Sequence, residues 1–284
     1  MRYDCIIIGS GPAGLSAAIN LKTYQKNFLW FGNANLSEKV EKAELVNNYP
    51  GLPSISGKDL LVAFQSHRES MEIELTDKIV SSIYDMGGYY NVVAENQFFE
   101  TSTIILAMGV VPSKQYIGEK EFLGRGVSYC ATCDGALYKE KTIAIIATSK
   151  RFEHEITFLA DLAKKVYLFA FYKDCEVEHE HIEKMEKVPK EIKGAFRADT
   201  LELTDGTALS VDGIFIMRNA IAPTSLFPKL ELEDGHIKVN RQMETNLKGV
   251  FAAGDCTGKP YQYTKAVGEG NIAAHGVIAL TNEL

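Results

Sequence analysis

The chain has 284 residues, of which 46% are hydrophobic and 24% are charged, as in an ordinary soluble globular protein. Its formal net charge of −7 argues against nucleic acid as a partner. No apolar run reaches the roughly 18 residues that span a membrane. The first apolar stretch runs directly into a glycine turn, so it is not a signal peptide. We therefore expect a cytoplasmic protein with no membrane partner, whose five cysteines are not a disulfide framework.

The N-terminal region carries a dinucleotide-binding pattern. A buried, parallel-type strand is predicted over 3–8 and a helix over 15–22, and the turn G-S-G-P-A-G at 9–14 lies between them. Its first glycine makes the tight turn, the second lets the backbone approach a pyrophosphate at the helix N-terminus, and the third lets the helix pack on the strand. A glycine turn without a ligand is the alternative. The cofactor-binding residues expected here are Gly9, Ser10, Gly11, Pro12, Ala13 and Gly14.

The second strand, predicted over 27–31, ends where many such sites place an acid that holds the ribose, about 20 residues past the glycines. Here the sequence after the strand reads G-N-A-N at 32–35, and the first acid is Glu38. The ribose must therefore be held in another way. The candidate contacts at this position are Phe31, Gly32 and Asn33.

The segment E-L-V-N-N-Y-P-G at 44–51 resembles the E-x-E-N-Y/W-P-G segment of low-molecular-weight thioredoxin reductases, a family that also lacks the ribose acid. The resemblance implies that FAD is the cofactor and that Asn48 contacts the flavin region. Taken without the other motifs, the same residues would form an Asn-rich turn that ends at Pro-Gly.

A helix over 57–72 and strands over 75–83, 89–94 and 103–107 complete the first half of the predicted flavin domain. The turn M-G-V-V-P at 108–112 resembles the A-T-G-A-x-P turn of the same family, with methionine where threonine is usual. The resemblance implies that the strand holding Ile79 touches the adenine through its backbone. It also implies cofactor contacts at Ala107, Met108 and Gly109.

A C-x-x-C pair lies in the pentapeptide C-A-T-C-D at 130–134. In a cytoplasmic protein this spacing indicates redox chemistry or a metal, because one thiolate can attack a partner's disulfide and the second can resolve the mixed disulfide. The longer run G-V-S-Y-C-A-T-C-D-G at 126–135 resembles the redox motif of the family. The resemblance implies that Cys133 lies against the flavin, that Cys130 is the interchange thiol and that Asp134 protonates a leaving thiolate.

Two other interpretations of the C-x-x-C pair compete with the redox one. A zinc site would need two further ligands, and Cys175, His179 and His181 do not have the spacing of a second zinc-binding pair. We therefore expect no metal. A thioredoxin-like fold would explain the C-x-x-C pair but not the glycine motifs at both ends of the chain.

The second domain of the family binds NADPH through its own strand–helix–strand unit, which is predicted here over 141–147, 153–164 and 165–171. The family's G-G-G-x-S-A turn aligns with A-T-S-K-R-F at 147–152, and the H-R-R that grips the 2′-phosphate aligns with A-F-Y at 170–172. A third glycine is replaced by Ala220. Such a site needs small residues near the pyrophosphate and cations near the 2′-phosphate. Because these positions lack them here, NADPH is not expected to bind in the usual way.

The stretch 176–193, rich in Glu, Lys and His, is expected to be the solvated face of a helix.

The missing motifs raise the question of the electron donor. Some reductases of this family, from anaerobes, lack these motifs and take electrons from ferredoxin, and the chain resembles that subtype. Ferredoxins are usually acidic, so docking would need a local basic patch, for which Lys150, Arg151, Lys164 and Lys165 are candidates. Two alternatives stay open: a reductase fed by NADPH or NADH through a remodelled site, and a redox-sensing flavoprotein without turnover.

The C-terminal segment T-N-L-K-G-V-F-A-A-G-D-C at 245–256 resembles a segment shared by flavin disulfide reductases. The resemblance implies that Gly254 and Asp255 face the ribityl chain of the flavin and that Gln262 lies near the isoalloxazine. Tyr261 stands where an arginine is usual. The helix predicted over 268–278 can face the flavin with its N-terminus.

The expected fold is α/β, with two Rossmann-like three-layer domains of the flavin disulfide reductase type, the second inserted in the first. Residues 1–114 and 243–284 form the predicted FAD-binding domain, and 115–242 form the inserted domain. The resemblance implies thioredoxin as electron acceptor and a homodimer. No role is assigned to Cys175 or Cys256.

Overall fold

The computed structural model of the chain describes residues 2–95, 97–109, 115–129, 131–218 and 223–282, without the side chain of Cys133. The chain forms two compact units: Met1–Val111 together with Ala222–Leu284, and Pro112–Ile221. None of the helices in these described ranges combines the length and the apolar character that crossing a membrane requires.

The first part of the chain contains the strand–turn–helix unit that the glycine pattern predicts. Strand β3 starts at Val80 rather than near 75, because its antiparallel pairing with the next strand begins at the pair Val80 and Ala94. The elements are β1 (Tyr3–Ile8), α1 (Pro12–Thr23), β2 (Phe28–Phe31), α2 (Glu38–Glu41), α3 (Gly57–Ser70), β3 (Val80–Asp85), β4 (Tyr90–Ala94) and β5 (Gln97–Leu106).

The second unit contains a further strand–helix–strand arrangement. Its elements are α4 (Glu119–Phe122), β6 (Val127–Ser128), α5 (Ala131–Asp134), β7 (Thr142–Ala147), α6 (Glu153–Leu162), β8 (Lys165–Ala170), β9 (Ile182–Lys184), β10 (Pro189–Gly194), β11 (Ala198–Leu203), β12 (Ala208–Ser210) and β13 (Gly213–Met217). Short 3-10 turns cover Gly135–Tyr138 and Lys150–Phe152.

The chain then returns to the first unit earlier than the sequence analysis placed the boundary. The ring of Phe227 packs edge-on against Tyr90 with centroids 5.6 Å apart, and Asn246 Nδ2 donates to the carbonyl of Lys229 at 2.9 Å. Residues 223–242 therefore pack with the first unit. The elements are α7 (Pro223–Leu226), β14 (Leu232–Glu233), β15 (His236–Ile237), β16 (Val250–Ala252), a 3-10 turn at Asp255–Thr257 and α8 (Tyr263–Asn282).

The sheet of the first unit has the order β2-β1-β5-β4-β3, with β16 also paired to β5. Strands β2, β1, β5 and β16 are parallel, so their carboxyl ends share one edge of the sheet. Helices α1 and α8 pack so closely that a Cβ at Gly270 would lie 2.1 Å from the carbonyl oxygen of Ala13. Only glycine therefore fits at this position. The loops after these parallel strands hold the predicted cofactor residues.

The second unit has a parallel sheet with the order β6-β13-β7-β8-β9 and a separate antiparallel sheet, β10-β11-β12. Helix α6 buries Ile156, Leu159 and Ala160. Both units thus contain parallel strands joined by crossover helices, and the first sheet adds β4 and β3 as antiparallel strands, which confirms the predicted α/β fold class.

The prediction of a helix over 176–193 is wrong. The segment forms β9, which pairs in parallel with β8, and β10, which pairs antiparallel with β11. Pairing with neighbouring strands overrides the charged, helix-compatible composition. The charged side chains of the segment make surface ion pairs instead, such as Lys184 with Glu178 at 2.7 Å and Lys190 with Glu202 at 2.8 Å.

Candidate functional site

The glycine turn after β1 is shaped by two close approaches. Gly9 has φ +116°, and a Cβ there would lie 2.1 Å from the carbonyl oxygen of Ala107. A Cβ at Gly14 would lie 1.9 Å from the carbonyl oxygen of Gly9, which also accepts a hydrogen bond from Trp30 Nε1 at 2.9 Å. Neither position therefore accommodates a side chain, and the turn holds β1, α1 and the end of β5 together.

The space in front of Gly11 is open. A Cβ at this position would meet no atom within 4 Å, and Gly11 is the N-cap of α1, followed by Pro12 at the first helical position. The N–H groups of a first helical turn have no acceptor inside the helix, and they favour an anion. This cradle fits the pyrophosphate of a dinucleotide, which the FAD predicted from the sequence carries.

The loop after β2 is folded onto the same turn. Ser10 Oγ donates to the carbonyl of Leu36 at 2.7 Å and accepts from the backbone N–H of Asn33 at 2.9 Å. A Cβ at Gly32 would lie 2.4 Å from the Cβ of Ser10. Asn33 thereby occupies the place where related sites carry an acid, so the group available to a ribose there is a neutral amide.

Of two predicted adenine-side residues, Phe31 has a buried side chain and Ile79 a partly exposed one. The ring of Phe31 is buried against Phe99 with centroids 5.2 Å apart. Phe31 also forms a bridge with Thr76, whose carbonyl accepts from the N–H of Gly32 at 3.1 Å. Ile79 is partly buried and lies one residue before β3.

The turn after β5 lies at the same edge of the sheet. The N–H of Ala107 donates to the carbonyl of Ile8 at 2.7 Å, which continues the pairing of β5 with β1. Met108 and Gly109 are partly exposed, and Gly109 has φ +69° with open space where a Cβ would stand. The rest of this predicted turn, from 110 to 112, lies outside the described residues.

Asp255 follows β16 and has a cationic partner that the sequence did not suggest. Its carboxylate forms an ion pair with Lys39 of α2. Gly254 before it has φ +90°, and a Cβ there would lie 3.0 Å from the Cβ of Ala13. Asp255 is therefore held at the N-terminal end of α1, beside the glycine turn.

A second ion pair braces the Asp255 loop. Lys265 Nζ donates to the carbonyls of Gly254 at 2.9 Å and Gly258 at 2.8 Å, and lies 3.1 Å from Glu269 Oε2. The same Glu269 oxygen accepts from the N–H of Gly254 and the hydroxyl of Thr257, both at 2.8 Å. The pair was not predicted from the sequence, although its i,i+4 spacing on a helix was a usable signal.

Two of the three residues predicted near the flavin ring contact each other, and the third, Tyr261, contacts residues that were not predicted there. Asn48 Nδ2 donates to Gln262 Oε1 at 2.6 Å. The hydroxyl of Tyr261 lies 2.6 Å from His236 Nε2, and Lys39 Nζ lies 5.4 Å from the centre of the Tyr261 ring. Lys39 thus places a cation beside the position where the family has an arginine.

The redox motif is described only in part. Cys130 and the side chain of Cys133 lie outside the described residues, as does Ala220. Asp134 closes the single turn of α5, and its Oδ2 accepts a hydrogen bond from Ser128 Oγ at 2.6 Å. The carboxylate proposed as the proton donor is therefore oriented by the strand that precedes the thiols.

The second unit's counterpart of the glycine turn, at 147–152, contains no glycine. The N–H of Thr148 donates to the carbonyl of Met217 at 3.0 Å, and Phe152 is buried. The hydroxyl of Tyr172 lies 3.2 Å from Glu153 Oε1 and 3.3 Å from Cys175 Sγ. Burial raises the pKa of Tyr172, so its hydroxyl remains protonated in this cluster.

The candidate basic patch is partly neutralised. Lys150 Nζ lies 2.8 Å from Glu176, and Lys165 Nζ lies 2.8 Å from Glu183. These contacts reduce the positive charge that the two lysines present to a partner.

Three cysteines are free thiols within the described residues: Cys5, Cys175 and Cys256. Burial raises the pKa of the Cys5 thiol to about 12 and that of Cys256 to about 11. Cys175 is partly exposed. Across the same part of the chain, no three His, Cys, Asp or Glu side chains gather as metal ligands.

The chain is similar to known proteins over nearly its whole length. Residues 3–270 match the pyridine nucleotide-disulphide oxidoreductase family. A crystal structure of a ferredoxin-flavin thioredoxin reductase from Clostridium acetobutylicum matches with a TM-score of 0.91 at 46% identity, covering 100% of this chain and 99% of that chain. A second such structure from that organism matches with a TM-score of 0.87 at 43% identity, covering 100% and 98%.

Curated relatives point to the same group. The thioredoxin reductase of Bacillus subtilis is 32% identical over 99% of this chain and 96% of its own length. That of Listeria monocytogenes is 30% identical over 99% and 95%. With a glycine turn that fits a dinucleotide and a second parallel-sheet unit carrying a C-x-x-C pair, the chain belongs to the pyridine nucleotide-disulphide oxidoreductase family, in its thioredoxin reductase branch.

Proposed function

We propose that this protein reduces the disulfide of thioredoxin, with FAD as cofactor, Cys130 and Cys133 as the redox thiols, and reduced ferredoxin as electron donor. The observation that carries the choice of donor is a contrast between two turns. The turn at 9–14 is open at Gly11, whereas the corresponding turn of the second unit, 147–152, has no glycine and ends in the buried Phe152. The same proposal includes a homodimer in the cytoplasm of an anaerobe.

The first unit supplies the groups that would hold FAD. The N-terminus of α1 would receive the pyrophosphate, Asn33 and the backbone of Phe31 would serve the adenosine half, and Asp255, which is paired with Lys39, would accept from the ribityl hydroxyls. When bound, FAD takes up electrons singly and releases them in pairs, which suits a one-electron donor and a two-electron disulfide. Lys265 and Glu269 keep the Asp255 loop in place for this contact.

In the thiol chemistry, the Cys130 thiolate attacks one sulfur of the thioredoxin disulfide, and the other thioredoxin sulfur leaves as a thiolate. Asp134, held by Ser128, is placed to protonate a leaving thiolate. The Cys133 thiolate then attacks the Cys130 sulfur, which releases reduced thioredoxin and leaves a Cys130–Cys133 disulfide. Two electrons and two protons return this disulfide to the dithiol.

The proposed direction of transfer is favourable. Plant-type ferredoxins have potentials near −400 mV and thioredoxin lies near −270 mV, so moving two electrons releases about 6 kcal/mol. A low-potential donor is therefore adequate without any contribution from a nicotinamide.

The test is an anaerobic assay of thioredoxin thiol formation with three donors: reduced ferredoxin, NADPH and NADH. We expect turnover with ferredoxin alone. Turnover with NADPH at a comparable rate would show that the donor assignment is wrong. The control is Cys133→Ser, which should abolish turnover with every donor while leaving the flavin bound; retained turnover would exclude the assigned thiols.

A further inference from the structure

A buried carboxylate in the second unit receives three hydrogen bonds. Glu119 is 1% exposed. Its Oε2 accepts from Arg218 at 2.8 Å and from the N–H of Tyr116 at 2.9 Å, and its Oε1 accepts from the hydroxyl of Tyr129 at 2.7 Å. Arg218 is 9% exposed, and its guanidinium lies 5.8 Å from the centre of the Tyr116 ring.

A buried ion pair of this kind contributes little net free energy to folding. Removing two charges from water is costly, and apolar side chains of similar volume often stabilise a fold as well or better. Breaking the pair by removing one partner, in contrast, leaves an uncompensated buried charge. The ion pair between Glu119 and Arg218 therefore favours one arrangement of the groups bonded to it, and Tyr129 is one of these.

The pair lies where two neighbouring strands end. Strands β6 and β13 are parallel, with Ser128 opposite Phe215. Tyr129 is the first residue after β6, and Arg218 is the first residue after β13. Glu119 thus joins the ends of both strands through side chains.

The end of β6 is held from two sides. Tyr129 donates to Glu119, and Ser128 donates to Asp134 at 2.6 Å. These two residues directly precede the C-x-x-C motif, so the hydrogen bonds restrain the backbone that leads into Cys130 and the carboxylate that follows Cys133.

We propose that Glu119, paired with Arg218, is a positioning residue for the redox thiols and acts through the hydroxyl of Tyr129. The inference rests on the proposed redox role of Cys130 and Cys133. By restraining the approach to Cys130, the network raises the effective concentration of one thiol at the other and favours the disulfide over the dithiol.

The test compares Tyr129→Phe with Tyr116→Phe. Both lose one hydroxyl in the same cluster, but the Tyr116 contact with Glu119 is made by its backbone and survives. Equilibration with a glutathione redox buffer measures the dithiol–disulfide constant. We expect Tyr129→Phe to shift this constant toward the dithiol by up to about tenfold, or about 30 mV. We also expect a lower kcat at an unchanged KM for thioredoxin, whereas Tyr116→Phe behaves as the wild type.

A double variant tests the same hydrogen-bond network without changing Tyr129. Glu119→Leu combined with Arg218→Met removes both charges together, and it should shift the thiol equilibrium as Tyr129→Phe does. Wild-type thiol equilibrium in both Tyr129→Phe and the double variant would overturn the positioning role. If Cys130→Ser still reduced thioredoxin, the proposed function itself would fail, and this outcome is distinct from the first.

Discussion

Lys39 and Asp255 form an ion pair although 216 residues separate them in the chain. The pair joins the short helix α2 to the loop after β16, and the hydroxyl of Tyr263 lies 3.3 Å from the carbonyl of Lys39. A cation is thereby held beside the carboxylate assigned to the ribityl chain and over the ring of Tyr261.

Replacing Lys39 should weaken FAD binding. Without the ammonium, the Asp255 carboxylate would be left unpaired beside the proposed site of the anionic cofactor. Because Lys39 is largely exposed, the pair contributes about 0.2–1 kcal/mol, so Lys39→Gln should raise the Kd for FAD up to about fivefold, and less at high salt. Fluorescence titration of the apoprotein measures this. Lys42→Gln, which removes a surface pair with Glu38 on the same helix, is the matched control; equal Kd values for the two variants would argue against a role of Lys39.

The glycine turn allows folding to be separated from cofactor binding. A Cβ at Gly14 overlaps the backbone, so Gly14→Ala should lower the stability of the apoprotein by about 1–3 kcal/mol and also weaken FAD binding. A Cβ at Gly11 meets only open space in the protein, so Gly11→Ala should keep the thermal stability of the apoprotein and lose FAD affinity. Normal FAD affinity in Gly11→Ala would contradict the placement of the pyrophosphate.

The brace on the Asp255 loop should matter for both stability and affinity. Glu269→Ala removes the acceptor of two hydrogen bonds and leaves Lys265 without its carboxylate, which should cost about 1–3 kcal/mol. Thermal unfolding with and without FAD measures the effect, which should be larger for the holoprotein. Ile272→Ala, an exposed change on the same helix, serves as control. An effect in Glu269→Ala no larger than in this control would count against the brace.

The free thiols should differ in reactivity with iodoacetamide at pH 8. Alkylation requires a thiolate, and the raised pKa values of Cys5 and Cys256, about 12 and about 11, keep both thiols protonated and inaccessible in the folded protein. Mass spectrometry should find Cys175 labelled in the native, oxidised protein, and Cys5 and Cys256 labelled only after unfolding. Rapid native labelling of Cys256 would mean that the loop after β16 opens in solution.

The features that could be predicted from the sequence are those set by residues close together in the chain. The glycines at 9–14 lie between a strand pattern and a helix pattern, and their close approaches to Ala107 and to each other explain why glycine is needed there. The strands β9 and β10 were missed because they exist through pairing with β8 and β11, which leaves no periodic signal in a charged segment. The partner of Asp255 could not be predicted either, since its lysine is remote in sequence.

The same limit applies to the buried pair of Glu119 and Arg218, whose members lie 99 residues apart. An arginine after a buried strand is unremarkable in sequence, and only the packing of the second unit shows that it is nearly excluded from solvent. Long-range ion pairs are therefore the part of both sites that required the structure.

The most direct test of the account is an anaerobic titration of the purified flavoprotein, followed by flavin absorbance. NADPH and NADH are added first, then reduced ferredoxin, then oxidised thioredoxin. We predict that neither nicotinamide bleaches the flavin, that ferredoxin bleaches it, and that thioredoxin restores the colour. Rapid bleaching by stoichiometric NADPH would contradict the account, because it would mean that the turn at 147–152, which lacks glycine, still admits a nicotinamide nucleotide.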